Sequence, residues 1–203
     1  DPDNDPVTYS LSGTDASSMS IDSGSGVLTF NSAPDYETKS SYSATVTASD
    51  GTNSTSQTVT VTILDVDDVA PTFTSNATFS VAENQTSIGT VTATDADSDT
   101  IGFSLSGTDA SSMSINSSSG VLTFNSAPDY ETKSSYSATV TASDGTNSST
   151  QDIAVNITNV NDNTPSITSN ATFSAAENQT AIGTVTATDA DSDTLSFSLS
   201  GTD

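Results

Sequence analysis

Apolar and polar residues alternate along much of the chain, and this alternation predicts β-strands. In residues 135–142 every second side chain is Tyr, Ala or Val with Ser or Thr between them, and residues 150–158 repeat the pattern with Ile and Val. Gly, Asn, Asp and Pro interrupt the runs, and no stretch has a convincing helical period. The predicted strands of the central part are residues 77–81, 88–94, 101–106, 121–124, 135–142 and 150–158.

The pattern recurs because the chain repeats itself every 94 residues. VTATDADSDT occupies residues 91–100 and again residues 185–194, and Glu83 and Glu177 both lie in AENQT. A period of this length is too long for a solenoid turn and fits a small autonomous domain. Together with the strand pattern it predicts an all-β sandwich for each complete copy.

Two segments in which proline follows a cluster of acids or amides are the best candidates for linkers. They are LDVDDVAPTF at residues 64–73 and TNVNDNTPSI at residues 158–167. Proline ends a strand ladder because it has no N–H to donate. We therefore predict that residues 1–69 are a copy without its first two strands, residues 70–163 a complete copy, and residues 164–203 the first strands of a third copy.

Composition excludes several classes of function. The 203 residues include no His and no Cys, and 26 acids against two Lys give a net charge of -24. A Ser-His-Asp or Cys-His nucleophile pair and a zinc site of the usual kind are therefore absent, and we do not expect an enzyme.

The negative charge also limits the possible partners, because nucleic acid and anionic membranes would repel the chain. No run of about 18 apolar residues is present, so we expect no membrane insertion. A hard metal cation or a polycation is the natural counter-charge.

The acids gather at turns, in five short motifs per period. In the central copy these are AEN, DAD, PDYE, ASDG and NVNDN, in that order. This series resembles the cadherin repeat, whose motifs are an xEx glutamate, DxD, DRE, an Asp beside Gly, and DxNDN before proline. The nearly identical, Ser/Thr-rich copies resemble most the cadherin-like repeats of bacterial surface or secreted adhesins. The resemblance implies tandem seven-stranded Greek-key β-sandwiches, joined end to end and located outside the cell.

The resemblance also implies calcium ions held between successive domains. Ca²⁺ takes six to eight oxygen ligands in a tolerant geometry, which carboxylates, amides and carbonyls on several loops can supply. The ligands implied for the first junction are Asp35, Glu37, Asp67, Asp68, Asp95, Asp97 and Asp144. Those implied for the second junction are Glu83, Asp129, Glu131, Asn161, Asp162, Asn163, Asp189 and Asp191, with Asn163 and Val160 ligating through backbone carbonyls. Asp1, Asp3 and Asp50 would face a preceding domain.

The two linkers differ in charge. Asp65 and Asp67 of the first correspond to Asn159 and Asn161 of the second. Both replacements keep a side-chain oxygen, but the junction with fewer carboxylates should bind calcium more weakly.

Three other interpretations of the acids stay open at this point. Asp95, Asp97 and Asp99 begin as an EF-hand loop does, although Thr100 and Ser106 stand where that loop needs Gly and Glu. The acids could instead only solubilise the surface, or form a glycosidase carboxylate pair. Asp99 lies outside the DxD pair, and we expect it to be a solvated turn residue.

The leading hypothesis is a calcium-stiffened segment of an extracellular rod or fibre that spaces or builds an adhesin. The alternative is a calcium-dependent adhesion module that binds its own kind or a cell-surface polysaccharide. The expected partners are neighbouring identical repeats, in the same chain or in head-to-tail copies. In the second case, residues 165–203 of one molecule would donate the strands that residues 1–69 of the next lack.

Overall fold

The computed structural model describes residues 5–201, and the regular structure in that range is almost entirely extended. The chain forms two compact units, one of residues 5–69 with 95–99 and the other of residues 70–94 with 100–201. Two single-turn 3₁₀ helices, Ala16–Ser18 and Ala110–Ser112, are the exceptions among these residues. No helix in the described part is long and apolar enough to cross a membrane.

The first unit contains one three-stranded antiparallel sheet and a separate two-stranded pair. Its strands are β1 (Thr8–Ser12), β2 (Met19–Ile21), β3 (Leu28–Phe30), β4 (Ser41–Ser49) and β5 (Ser54–Thr62). The sheet order is β1-β4-β5, and β2 pairs with β3. Strand β5 is an edge of this sheet among the described residues. In this unit only Met19 and Ala44 among the described apolar side chains are fully buried.

The second unit contains a complete β-sandwich. Its strands are β6 (Thr72–Phe73), β7 (Thr78–Ala82), β8 (Ser87–Thr90), β9 (Ala93–Thr94), β10 (Gly102–Ser106), β11 (Met113–Ile115), β12 (Val121–Phe124), β13 (Ser135–Ser143), β14 (Ser148–Thr158), β15 (Ser166–Ile167) and β16 (Ala187–Thr188). One sheet has the order β10-β13-β14-β7, with β7 parallel to β14, and the other has the order β11-β12-β8. Strands β6 and β9 form a further pair, as do β15 and β16.

The nine segments from β6 to β14 correspond to seven strands. The first strand is divided into β6 and β7, and the second into β8 and β9. The two halves of each strand form hydrogen bonds with different partner strands. The predicted strand at residues 88–94 is therefore interrupted, and at the break the Val91 N–H donates to the Gly120 carbonyl at 2.9 Å. The predicted all-β sandwich fold is confirmed, whereas β6 and β11 were not among the predicted strands.

The core of the second unit fills the space between its two sheets. Leu122 and Val91 come from one side, Val140 and Val155 from the other, and all four are fully buried. Phe124 packs edge-on against Tyr136, with ring centroids 4.9 Å apart. The alternation seen in the sequence produces this core because successive side chains on a strand point to opposite faces.

Gly120 marks a point where the backbones of β12 and the second strand approach too closely for any side chain. A Cβ at this position would lie 2.1 Å from the Val91 carbonyl oxygen, and φ is +68°. The contact leaves no room for a side chain, and the left-handed conformation also favours glycine.

Residues 164–201 form one pair of short strands, and no second sheet packs against this pair among the described residues. Strand β15 pairs only with β16 among the described residues, and large apolar side chains remain exposed. These are Ile167, Phe173, Ile182, Val185, Phe197 and Leu199. The division of the chain into three copies stays a prediction.

Candidate metal centres

The first unit contains a cluster of five carboxylates, which we call the first acidic cluster. Oxygens of Glu37, Asp65 and Asp97 lie within 4.8 Å of one another, and so do oxygens of Asp67, Asp97 and Asp99. Asp97 belongs to both groups and joins them. The predicted ligands Glu37, Asp67 and Asp97 therefore come together in space although Asp97 follows Glu37 by 60 residues.

Backbone N–H groups of the linker orient Asp97. Its Oδ2 accepts hydrogen bonds from the N–H of Asp68 at 3.2 Å and of Val69 at 2.9 Å. Its other oxygen, Oδ1, is buried without a hydrogen-bond partner. Asp95 shows the same division, because Oδ1 accepts from the Asp99 N–H at 3.2 Å while Oδ2 is buried and unpartnered. A buried carboxylate oxygen without a donor is costly, and a cation would compensate it.

The electrostatics of Glu37 show the repulsion within the first acidic cluster. A hydrogen bond from its own backbone N–H lowers the pKa of Glu37, but desolvation and the nearby carboxylates of Asp97 and Asp35 outweigh it and raise this pKa to about 7. A raised pKa is the effect expected where several carboxylates lie close together without a positive charge between them.

The second unit contains a corresponding group, the second acidic cluster, formed by Glu83, Glu131, Asp162 and Asp191. One carboxylate oxygen of each lies within 4.8 Å of the others. Glu83 is only 2% exposed and follows directly after β7. Its Oε1 accepts from the Val160 N–H at 2.7 Å and its Oε2 from the Tyr130 N–H at 2.8 Å. Backbone donors thus hold this buried glutamate in place, as is required for a charged group of low exposure.

Asp191 has the role in the second acidic cluster that Asp97 has in the first. Its Oδ2 accepts from the N–H of Asp162 at 3.1 Å and of Asn163 at 2.8 Å. Burial acts to raise the pKa of Asp191, and the hydrogen bonds from the backbone and side chain of Asn163 outweigh it, so that this pKa is lowered. The pKa of Glu131 is raised by desolvation and by the negative charges of Glu83 and Asp191. Asp191 also forms a third group with Asp189 and Asp193.

Several predicted ligands have their carboxylates engaged within their own turns. Oxygens of Asp129 accept from the backbone N–H and the hydroxyl of Thr132, and Asp35 does the same with Thr38. Asp50 and Asp144 each accept two backbone N–H bonds from the residues two and three positions later. Asp144 nevertheless keeps a buried, unpartnered Oδ2, which leaves one oxygen for a cation.

The remaining predicted ligands differ in which polar group they direct toward the clusters. Asn161 and Asp68 have exposed side chains, and Asp68 reaches Asp97 only through its backbone N–H. The Asn163 side chain acts as a donor, because its Nδ2 lies 2.9 Å from Asp162 Oδ1 and 3.2 Å from Asp191 Oδ1. This arrangement suits the prediction that Asn163 ligates through its carbonyl. Asp1 and Asp3 lie outside the described residues.

Sequence reasoning missed three members of these groups, Asp65, Asp99 and Asp193. Asp99 was expected to be a solvated turn residue; it is exposed, yet its carboxylate lies with those of Asp67 and Asp97. The D-x-D-x-D spacing was the available signal, because Asp193 repeats the position of Asp99 after 94 residues. The EF-hand interpretation is wrong, since the segment after these acids is strand β10 and not a helix.

The donor sets fit calcium. Each cluster presents only hard oxygen ligands, which calcium prefers, whereas a structural zinc site takes Cys and His ligands. The two basic side chains of the protein pair elsewhere, Lys39 with Asp15 and Lys133 with Asp109. A divalent cation is therefore the counter-charge that matches both the oxygen chemistry and the unpartnered oxygens of Asp95 and Asp97.

Comparison with known proteins identifies relatives along most of the chain. The family model described as "Cadherin domain" matches residues 1–64 and 77–158. Human "Protocadherin-23" is 37% identical over 94% of this chain, and mouse "Protocadherin Fat 4" is 33% identical over 91% of it. The chain spans only 6% and 4% of the lengths of these two relatives. The solved structure "Protocadherin Gamma B2 extracellular cadherin domains 3-6" is similar with a TM-score of 0.78 at 28% identity, covering 93% of this chain and 53% of that one.

Proposed function

Because the chain belongs to the Cadherin domain family, an extracellular family of adhesion proteins, we propose that it is a calcium-stiffened segment of an extracellular adhesive rod or fibre. The proposal is supported above all by Asp97, whose Oδ2 is held by linker N–H groups while its Oδ1 is buried and unpartnered among four other carboxylates. Such an arrangement stores repulsion that a bound cation would relieve.

We propose that the ions rigidify the linkers. In each cluster one aspartate accepts hydrogen bonds from two consecutive linker N–H groups, at Asp68 and Val69 in one case and at Asp162 and Asn163 in the other. An ion that binds these aspartates together with Glu37 or Glu131 would connect the linker to turns far away in the sequence. Chelation would leave only the hydrogen bonds, opposed by like-charge repulsion.

The repeat argues for a spacing or fibre-building role and against catalysis. Copies that are nearly identical increase the reach of an array with their number, whereas an active site is needed only once. The absence of His and Cys from the sequence also disfavours a catalytic role. The finer assignment to a bacterial surface adhesin rests on the Ser/Thr-rich, nearly identical copies, while the relatives named above are animal proteins.

Small-angle X-ray scattering with calcium and with chelator tests the stiffening. We expect a larger radius of gyration and a larger maximum dimension with calcium, and a smaller radius of gyration in chelator, because a flexible linker lets the chain bend. Identical curves in the two conditions would contradict the mechanism.

Thermal melting tests the ligands themselves. At a free calcium concentration of 100 times Kd, binding to the folded state adds about 2.7 kcal/mol, which raises Tm by about 5–10 °C for a chain of this size. Combining Asp97→Ala with Asp162→Ala should remove most of this increase. Asp5→Ala combined with Asp152→Ala is the matched control, because both residues lie outside both clusters and the pair loses the same two charges. An equal loss in both variants would show that only net charge matters.

A further inference from the structure

The second unit has a surface cavity beside the turn that follows β12. Its volume is about 490 Å³, which is within the range of small-molecule sites. Phe124 and Pro128 line it with buried side chains, whereas Ser112, Ser126 and Asp129 contribute polar groups. The cavity therefore offers an apolar surface and hydrogen-bonding groups to the same ligand.

Tyr136 forms one wall of the cavity and is held from two sides. Its half-buried ring packs edge-on against Phe124, with centroids 4.9 Å apart, and the Lys133 amino nitrogen lies 4.7 Å from its centroid. The Tyr136 hydroxyl takes part in no hydrogen bond among residues 5–201. This wall is thus fixed in position while its hydroxyl stays available to a ligand.

Most of the polar rim is also available. The hydroxyls of Ser111, Ser112 and Ser126 form no hydrogen bond within the described part of the chain. Each oxygen of Asp129 accepts one hydrogen bond from Thr132, one from its N–H at 3.2 Å and the other from its hydroxyl at 2.9 Å. Because a carboxylate oxygen has two lone pairs, each can accept a further bond.

Asn125 has a different part, because its side chain stabilises the cavity. Its Nδ2 donates to the Ser111 carbonyl at 2.9 Å and to the Met113 carbonyl at 3.3 Å, and its Oδ1 accepts from the Ser114 hydroxyl. These bonds fix the turn after β12 to the 3₁₀ helix Ala110–Ser112 and to β11. The rim is therefore positioned before a ligand binds, which reduces the loss of conformational freedom on binding.

Electrostatics restrict the kind of ligand that the cavity can take. Of the described residues that line it, Asp129 alone is charged, and the Lys133 amino group is paired with Asp109. Asp129 and the net charge of -24 would repel an anionic ligand. A cationic ligand would meet the Lys133 amino group beside the Tyr136 ring. A neutral ligand with several hydroxyls and an apolar surface fits best.

We propose that this cavity binds a neutral sugar unit of a polysaccharide. A sugar ring carries C–H groups on its faces and hydroxyls around its edge. The C–H groups match the apolar lining, and the hydroxyls match the free serine hydroxyls, Asp129 and Tyr136. This role goes beyond calcium stiffening and does not rest on it, because the contacts of Tyr136 and Asn125 that shape the cavity involve neither acidic cluster.

The first unit repeats both the residues and their contacts. Every residue that lines the cavity recurs 94 positions earlier. Phe30 and Tyr42 have ring centroids 4.9 Å apart, and Asn31 Nδ2 donates to the Ser17 carbonyl at 2.9 Å. Each repeat thus offers one site, and a polysaccharide of repeating units has a ligand for each. Linking two weak sites can raise the overall avidity by about 10²–10⁴ when both are engaged.

Affinity electrophoresis of the full chain in native gels tests the binding. The gels contain dextran, galactomannan, laminarin or xyloglucan as neutral polymers, or alginate as an anionic polymer, each with calcium and with chelator. We expect at least one neutral polymer to retard the protein in both conditions, and alginate not to retard it in chelator. No retardation by any of the neutral polymers, or equal retardation by alginate in chelator, would overturn the proposal.

A blocking variant checks the position of the site. Ala127 lines the cavity and is exposed, as is Ala33 at the equivalent position of the first unit. Ala127→Phe combined with Ala33→Phe should fill both cavities and raise the dissociation constant at least about tenfold. The matched control is Ala154→Phe with Thr60→Phe, at equivalent exposed positions of β14 and β5 outside the cavity. Equal losses in the two pairs would contradict a site at this cavity.

A second pair of variants leaves the packing intact. Tyr136→Phe with Tyr42→Phe removes only two hydroxyls, and losing these hydrogen bonds should weaken binding about 3–10-fold. Tyr130→Phe with Tyr36→Phe is the control, because Tyr130 does not line the cavity, and it should leave the affinity unchanged. Unchanged affinity in the first pair, or the same loss in the control, would count against the proposal.

The two proposals can fail separately. If a neutral polymer retards the protein and the blocking variant abolishes this, but calcium changes neither Tm nor scattering, calcium stiffening is wrong and sugar binding stands. If calcium raises Tm but no neutral polymer retards the protein, sugar binding alone is wrong.

Discussion

Asp191 Oδ2 accepts a hydrogen bond from the Asn163 N–H at 2.8 Å, and the pair 94 residues earlier, Asp97 and Val69, makes the same bond at 2.9 Å. The side chain of the linker residue differs completely between the two pairs, but the bond uses only its backbone. The geometry of the linker is therefore kept in both copies while the charge around it varies.

The difference in charge between the linkers gives a first prediction. Asn161 stands where the first linker has Asp67, whose carboxylate lies with those of Asp97 and Asp99. We expect Asn161→Asp to strengthen calcium binding at the second acidic cluster by about tenfold, because an added carboxylate raises the ligand charge. Isothermal titration calorimetry measures this change. The control is Asn156→Asp on strand β14, which adds the same charge outside the linker and should leave the affinity unchanged.

Asp109 gives a prediction about pH. A hydrogen bond from the Lys133 side chain, supported by one from the Ser137 N–H at 2.9 Å, lowers the pKa of Asp109 below its value in the unfolded chain. The folded state therefore binds this proton less readily, and the carboxylate adds stability that is fully present above the unfolded pKa of 3.8 and is lost as pH falls through the folded pKa. In chelator, urea unfolding should show Asp109→Asn to be less stable than the wild type at pH 6, with the difference shrinking below pH 4. A difference that does not change with pH would contradict this account.

Gly120 gives a prediction about backbone contact. Gly120→Ala should destabilise the second unit by about 3 kcal/mol or more. The new methyl group would clash with the Val91 carbonyl oxygen, and the alanine would have to adopt a left-handed backbone conformation. Gly145 is the matched control: its φ is +113°, but a Cβ added there would meet no atom within 4 Å. Gly145→Ala should cost only the conformational strain, about 1–2 kcal/mol. Denaturant unfolding measures both, and equal losses would show that the contact with Val91 is unimportant.

Equivalent leucines in the two units give a prediction about packing. Leu122 is 0% exposed, whereas Leu28 at the same position of the first unit is half-buried. We expect Leu122→Ala to cost about 2–5 kcal/mol and Leu28→Ala clearly less, because a cavity forms only where the site was filled. Denaturant unfolding makes the comparison. Equal losses would mean that Leu28 is packed as tightly as Leu122 in solution.

Much of the fold follows from the sequence because strand periodicity is local. The predicted strand at residues 121–124 agrees with β12, and residues 135–142 agree with β13 to within one residue. The strand predicted at residues 88–94 is interrupted because Val91 bonds to Gly120, and that contact depends on a segment almost 30 residues away. Short strands such as β6 and β11 contain too few residues to show a period.

The acids also show what the sequence alone leaves undetermined. Their spacing in the sequence indicates cation chemistry, and Glu37, Asp97, Glu83 and Asp191 do meet other carboxylates. The spacing does not distinguish Asp129, whose oxygens bond to Thr132, from Asp97, which keeps one oxygen unpartnered. That distinction depends on which donors lie nearby in three dimensions.

By itself the sequence determined the strands, the 94-residue repeat and the presence of hard oxygen ligands at the turns, because periodicity and residue chemistry are local properties. Only the tertiary structure decided that Glu83 is buried and that Asp97 and Asp191 are held by the linkers. Burial and hydrogen bonding depend on which distant segments meet, and the order of residues along the chain does not fix those meetings by itself.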